Sequence, residues 1–236
     1  MMNIQHRIDR LNWDKAAGIM NNTGYAILPG VLSAEECDAF ISQYDDESLY
    51  RKKVIMERHQ YGKGEYKYFS YPLPQLIQQL RETVYPKLVP IVNNWMHALN
   101  IATRFPATLD EQLALCHANN QVKPTALILK YAKGGFNALH QDLYGDIFFP
   151  VQMVIFLNEP GRDFEGGEFV LIEQKPRAQS KAIVLNPRKG DILVFTTNYR
   201  PVNGTRGYHR VNMKHGVSEI IEGKRHTLGI IFHDAG

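Results

Sequence analysis

Two residues that could share a cation stand one apart, His140 and Asp142, at the end of the stretch Tyr131-Ala-Lys-Gly-Gly-Phe-Asn-Ala-Leu-His-Gln-Asp142. In an extended strand, side chains at i and i+2 leave the same face, so an imidazole nitrogen and a carboxylate oxygen can converge on one metal ion. The pair alone is a small signal, because such triplets are common in polar turns. A third ligand has to arrive from a distant strand, and the late histidines are His209, His215, His226 and His233. His209 and His215 share parity, so an uninterrupted strand would point both inward, and parity alone does not choose between them. Arg225 follows His215 by ten residues, just past Gly223. It falls on the next antiparallel strand and can face the same interior. His226 lies on the opposite face from Arg225 and His233 at a strand end, so both read as structural.

Such residues need a rigid frame, and the sequence supplies one after Val122. Strands are expected over 125–131, 138–144, 149–157, 168–173, 181–186, 191–196, 206–213, 216–220 and 226–233. Turn residues separate them, among them Glu159-Pro-Gly161, Glu165-Gly-Gly167, Lys189-Gly190, Asn203-Gly204 and Glu222-Gly223. Short strands without intervening helices read as a jelly roll, a double-stranded β-helix. Ahead of it, a mild helical pattern covers 5–22, a short strand 25–28, and a capping box opens a helix at Ser33. The apolar stripe from Pro74 to Leu99 predicts a helix broken near Tyr85 by Pro86 and Pro90, and another short helix is expected over 107–118. No linker divides the halves. The reading is α+β, mainly β, one domain over 1–236: mainly helical support and a candidate substrate loop in 1–122, the double-stranded β-helix core in 123–236.

The texture changes between Arg51 and Tyr71, where Arg51, Lys52, Lys53, Arg58, Lys63 and Lys67 interleave with Tyr61, Tyr66, Tyr68, Phe69 and Tyr71. Cations meet phosphates and rings stack on bases, so the mixture suits single-stranded or flipped nucleic acid. Arg58, His59, Lys63, Tyr66 and, from the barrel, His209 are the candidate substrate residues. A solvated edge hairpin whose tyrosines pack on the body explains the same residues, and Gly62 and Gly64 would also permit a lid.

Composition narrows the class. An apolar content of 44%, a charged content of 22% and a net charge of +3 over 236 residues are ordinary globular values that allow an acidic partner without requiring one. Cys37 and Cys116 show no framework spacing and fit reduced thiols. Without an apolar signal core or a run near 18 apolar residues, a cytoplasmic protein with no membrane span is expected.

Taken in order, Tyr131, His140, Asp142, Phe164-Glu-Gly-Gly-Glu-Phe169, Pro187-Arg-Lys-Gly-Asp191 and His215 to Arg225 resemble the Fe(II)/2-oxoglutarate-dependent dioxygenase superfamily. The resemblance is to its prolyl 4-hydroxylase-like branch, in which a tyrosine precedes His-x-Asp by nine residues. There the distal histidine opens His-x-Val-Ser/Thr-x-(Ile/Val)-x-x-Gly-x-Arg, a pattern that residues 215–225 match throughout. The whole chain further resembles bacterial 2-oxoglutarate oxygenases likened to the alkylation-damage demethylases. The resemblance implies Fe(II) on His140, Asp142 and His215, 2-oxoglutarate on Arg225 with help from Tyr131 and Thr227, and O2 as oxidant. Charge agrees: Fe(II), one aspartate and a dianionic keto-diacid leave one negative charge, and an arginine fork matches a carboxylate. Hydroxylation, or oxidative demethylation of an N-methyl group, with release of succinate and CO2 would follow. Nucleic acid, peptide and small metabolite stay open as substrates, and the oligomeric state is not set by the sequence. The alternative from another class is a jelly-roll metal- or ligand-binding or sensor module without turnover.

Overall fold

The computed structural model describes residues 3–142 and 145–236. Helices α1 (Ile4–Asp9) and α2 (Trp13–Thr23) replace the single expected helix, because the Asn12 side chain accepts from Lys15 N and starts a second one. Then come β1 (Tyr25–Leu28) and α3 (Ala34–Ser42), the latter opened by the Ser33–Glu36 capping box. The basic-aromatic stretch forms β2 (Tyr50–Ile55), β3 (Gly62–Lys63) and β4 (Glu65–Phe69). The long helix α4 (Gln75–Ala98) is continuous, against the expected break near Tyr85. Glu82, Pro86 and Pro90 recur every four residues on its exposed face. The carbonyls left without an amide partner therefore belong to the solvent side, where water can satisfy them. Helix α5 (Leu109–Ala118) closes the first half.

The remaining strands are β5 (Leu127–Ala132), β6 (Phe136–His140), β7 (Val151–Phe156), β8 (Phe164–Gly166), β9 (Phe169–Gln174), β10 (Lys181–Leu185) and β11 (Ile192–Thr196). After them come β12 (Tyr199–Gly204), β13 (Gly207–Val217) and β14 (Ile220–Ile231). One sheet runs β1-β11-β7-β14-β5-β4-β2, with β8 on β14; the other runs β10-β9-β13-β6-β3, with β12 on β13. This is the expected double-sheet, mainly β architecture with helices on one side. Strands are not confined to the second half, however: β1, β2 and β4 from the first 122 residues extend the larger sheet. Of the strand expected over 138–144, residues 143 and 144 lie outside the described residues.

Two strands are longer than their turn residues suggest. The strands expected over 206–213 and 216–220 are one strand, β13, and the Glu222-Gly223 turn is an irregularity within β14 where β8 pairs. Period-two alternation sorts the side chains into two cores. Met153, Ile155, Val194, Leu228 and Ile230 pack outward with the helices, around Val84, Leu88 and Trp95 of α4. Val154, Phe156, Leu193 and Phe195 point inward and meet Phe169, Leu171 and Met213 of the smaller sheet. Further along, this interlayer space opens into a cavity between the two sheets. Among the described residues no helix is long and apolar enough to cross a membrane.

Candidate active site

Antiparallel register brings the first two chemical groups together. His140 ends β6, His215 lies on β13, and the two are direct cross-strand partners. Their rings stand 4.2 Å apart between centroids. Phe169 stacks on the His215 ring and Phe195 meets it edge-on, which fixes its plane from the core side. Two residues past His140 the chain turns Asp142 back between the imidazoles, with Oδ1 at 3.4 Å from His140 Nε2 and Oδ2 at 3.3 Å from His215 Nε2. The possible ligand atoms of the three residues all lie within 4.8 Å of one another.

The protonation states suit a divalent cation. Burial pushes the Asp142 carboxyl upward, but the two facing histidines outweigh it and hold the group well below the usual carboxylate range. Burial pulls His215 down, with His140 adding to it, so this imidazole stays neutral. His140 is raised: burial works against its charge, and Asp142 together with the Ala138 carbonyl overcomes burial. Its Nδ1 lies 2.7 Å from Ala138 O, an acceptor, so Nδ1 carries a hydrogen and Nε2, which faces Asp142, is the nitrogen that a metal ion would take in place of a proton. Two imidazoles and one carboxylate form the donor set of non-haem iron oxygenases.

A second polar centre lies on β14. Arg225 is 2% exposed, and none of its three guanidinium nitrogens has a hydrogen-bond partner among the described residues. Rings of Tyr131, Phe156 and Phe164 surround it at 5.4–5.9 Å. Burial lowers its pKa to about 10, which still leaves it cationic at neutral pH. Tyr131 is its cross-strand partner, and Thr227 lies two residues along the same strand face. The Tyr131 hydroxyl, near Asn137, completes no hydrogen bond of normal geometry, and burial pushes its pKa to about 12. Two glycines are demanded by this packing. A Cβ on Gly64 (φ +148°) would meet the Tyr131 ring at 2.8 Å, and one on Gly167 (φ +64°) would meet Arg225 Cδ at 3.1 Å.

Both centres line one cavity of about 600 Å³, which holds His140, Asp142, His215, Tyr131, Arg225 and Thr227. Of the candidate substrate residues, His59 and Tyr66 also line it, while Arg58, Lys63 and His209 do not. Arg58 is exposed on a 3-10 turn and Lys63 lies on β3, paired to Phe136. His209 keeps the parity of His215 on an uninterrupted strand, yet it is exposed. Beyond Val211 the strand leaves the barrel as a two-stranded ribbon with β12, so inward parity no longer points at an interior. A hinged lid does not fit residues 51–71, since β4 is bonded to β5 and β3 to β6. Sequence reasoning passed over Gln152, which also lines the cavity. A single amide in the otherwise apolar Val151–Phe156 was the available signal.

Residues 64–235 match the family Oxygenase-NA, described as an oxygenase catalysing oxidative methylation of damaged DNA. The chain belongs to this family. The oxygenase is also 48% identical over 167 residues to an uncharacterized protein of Mycobacterium tuberculosis, covering 71% of this chain and 72% of that one. Among solved structures it is similar to a Pseudomonas putida prolyl-4-hydroxylase, with a TM-score of 0.56 and 14% identity over 95% of this chain and all of that one (100%). A 2OG-Fe(II) oxygenase family oxidoreductase of Burkholderia pseudomallei gives a TM-score of 0.52 and 16% identity, covering 96% and 94% of the two chains. At these identities the structural likeness speaks for the oxygenase's jelly-roll fold.

Proposed function

We propose that this oxygenase holds Fe(II) on His140, Asp142 and His215, takes 2-oxoglutarate against Arg225, and oxidises an alkylated base of a single nucleic-acid strand. One observation carries the reading: a buried guanidinium without a hydrogen-bond partner among the described residues lines the same cavity as a two-histidine, one-carboxylate cluster. A buried cation without an anion is costly, and a site that keeps one is built for an anionic ligand. The residues fit the pair of groups. The ion with Asp142 and a dianionic keto-diacid leaves one negative charge, which Arg225 neutralises as a fork. Thr227 and the Tyr131 hydroxyl can donate to the same carboxylate. When bound, the iron supplies activation of O2 coupled to decarboxylation of 2-oxoglutarate to succinate and CO2. The protein's own share is positional: Arg225 orients the cosubstrate, the Phe169 and Phe195 rings hold His215, and the apolar wall excludes water.

The substrate end of the cavity is walled by Lys52, Val54, Met56, Tyr66, Tyr68 and Leu127, with His59 and Tyr61 at its exposed rim. The His59 and Tyr61 rings are stacked at 5.3 Å, and Arg51 lies over Tyr68 at 4.5 Å. A planar base suits aromatic walls, and an N-methyl carbon oxidised there would leave as formaldehyde. Charge on and beside the smaller sheet supports a phosphate backbone. Arg58 and Lys63, at and before β3, and Arg206, Arg210 and Lys214, on and before β13, have no ion-pair partner among the described residues. Between residues 174 and 218 the only acid is Asp191. From Lys63, opposite Phe136, four steps along β6 reach His140, and five steps back along β13 from His215 reach Arg210. At ~3.3 Å per residue that path is about 30 Å, the length of roughly nine stacked nucleotides. Two buried free thiols, Cys37 and Cys116, support a reducing, cytoplasmic setting.

Succinate release with Fe(II) and 2-oxoglutarate, screened over alkylated oligonucleotides, peptides and metabolites, tests this. Turnover is expected on a methylated single strand, with affinity rising up to about nine nucleotides and then levelling. Turnover confined to peptides or metabolites would end the nucleic-acid reading, and none with any class would end the oxygenase chemistry.

A further inference from the structure

Strand β7 is buried at every position and carries one polar side chain, Gln152, which is 5% exposed. It faces Phe195 across β11 and Ile231 across β14, so an apolar residue would satisfy its surroundings on both sides. Its carboxamide reaches instead across the interlayer space to the smaller sheet. Nε2 donates to Asp142 Oδ2 at 2.9 Å and lies 3.3 Å from His215 Nε2. A carboxylate only accepts, so the amide must present nitrogen to it, and the orientation is fixed by chemistry. The other end, Oε1, is buried without a partner among the described residues. An amide that leaves its own acceptor unsatisfied is held there by what its donor does.

We propose that Gln152 is a positioning residue for the metal centre: it anchors Oδ2 of Asp142 and so holds the carboxylate in place between His140 and His215. The inference rests on the metal reading above. Rotation about the Asp142 side chain would otherwise carry the carboxylate away from one histidine or the other. Outer hydrogen bonds of this kind commonly account for ten- to hundredfold in metal affinity. Gln152 also ties the two sheets together at the level of the ligands, because β7 belongs to one and both histidines to the other.

The test is Mn(II) binding, followed by the electron-spin signal of the free ion, in the wild-type protein, Gln152→Met and Gln152→Leu. Methionine keeps the length without a donor, and leucine provides a second apolar replacement if the first does not fold. Roughly ten- to hundredfold weaker Mn(II) binding is expected in the variants, with a changed visible spectrum of the Co(II)-loaded protein. A role in packing alone would move the melting temperature and leave both readouts in place. Wild-type affinity with an unchanged Co(II) spectrum in a folded variant overturns the proposal while the metal reading stands. If the wild-type protein itself takes up no Mn(II), the metal reading falls and this inference with it.

Discussion

Arg81 and Arg225 are both buried in this molecule, and their surroundings are opposite. Arg81, on α4, has a partner at each nitrogen: Nε donates to Ile231 O at 2.9 Å, one terminal nitrogen to the Tyr71 hydroxyl at 2.9 Å, and the other to Asp234 Oδ1 at 2.8 Å. His117 adds a contact to the second Asp234 oxygen at 3.0 Å. Arg225 has aromatic rings around it and, among the described residues, no hydrogen-bond acceptor. Burial is the same; partnership differs. A buried charge that is paired within the fold belongs to the scaffold, and one left unpaired beside a cavity marks where a ligand of the opposite charge belongs.

Mutations should pull these two regions apart. The largest effect is expected from Asp142→Ala, which removes the carboxylate shared by both histidines; succinate formation should fall to background, about a thousandfold or more. A folded Asp142→Ala protein with full turnover would refute the site. Arg81→Ala leaves Asp234 buried without its cation, so it should destabilise by about 3–5 kcal/mol. In a chain of this size each kcal/mol lowers the melting temperature by roughly 2–4 °C. 2-Oxoglutarate affinity of the folded fraction should be unchanged. Arg225→Met should do the reverse. The cosubstrate would lose about 2–5 kcal/mol of binding while the melting temperature without it stays level or rises, since an unpaired charge has been removed. A large drop in that melting temperature would mean Arg225 belongs with Arg81.

The same contrast explains what the sequence discloses. Convergence of His140, Asp142 and His215 is legible because strand parity and the spacing to Arg225 are local rules, and two strands in register bring them together. His209 satisfies parity equally well and is still exposed, since parity says nothing about where a strand leaves its barrel. The union of β2 and β4 with β5 is a pairing across about 60 residues, and a basic-aromatic pattern does not announce such a partner. Pro86 and Pro90 read as breakers because the fact that decides the matter, their position on the solvent side of α4, is a property of the packed molecule. Gln152 is the most instructive miss. One polar residue in an apolar strand is visible in the sequence, but its partner on the opposite sheet is not.

Histidines divide as the arginines do, and this gives the smallest effect. His226 and His233 are not among the clustered ligands, and burial lowers both pKa values to about 4, aided by Lys130 and Lys224 for His226 and by Arg81 for His233, against the pull of Asp234 and Asp142. His233 Nδ1 accepts from Phe149 N at 3.0 Å, a role open only to the neutral ring at that nitrogen. In the unfolded chain both titrate near 6.5. Below that pH the unfolded state binds protons that the folded state refuses. Their contribution is therefore complete above pH 6.5 and is lost as pH falls toward 4, by at most about 3 kcal/mol each. His226→Gln keeps a donor for Asn158 and removes one of these titrations, so the fall in melting temperature between about pH 6.5 and 4.5 should become shallower. Identical slopes in the two proteins would mean that His226 charges in the folded state, and that burial at this position does not hold the ring neutral.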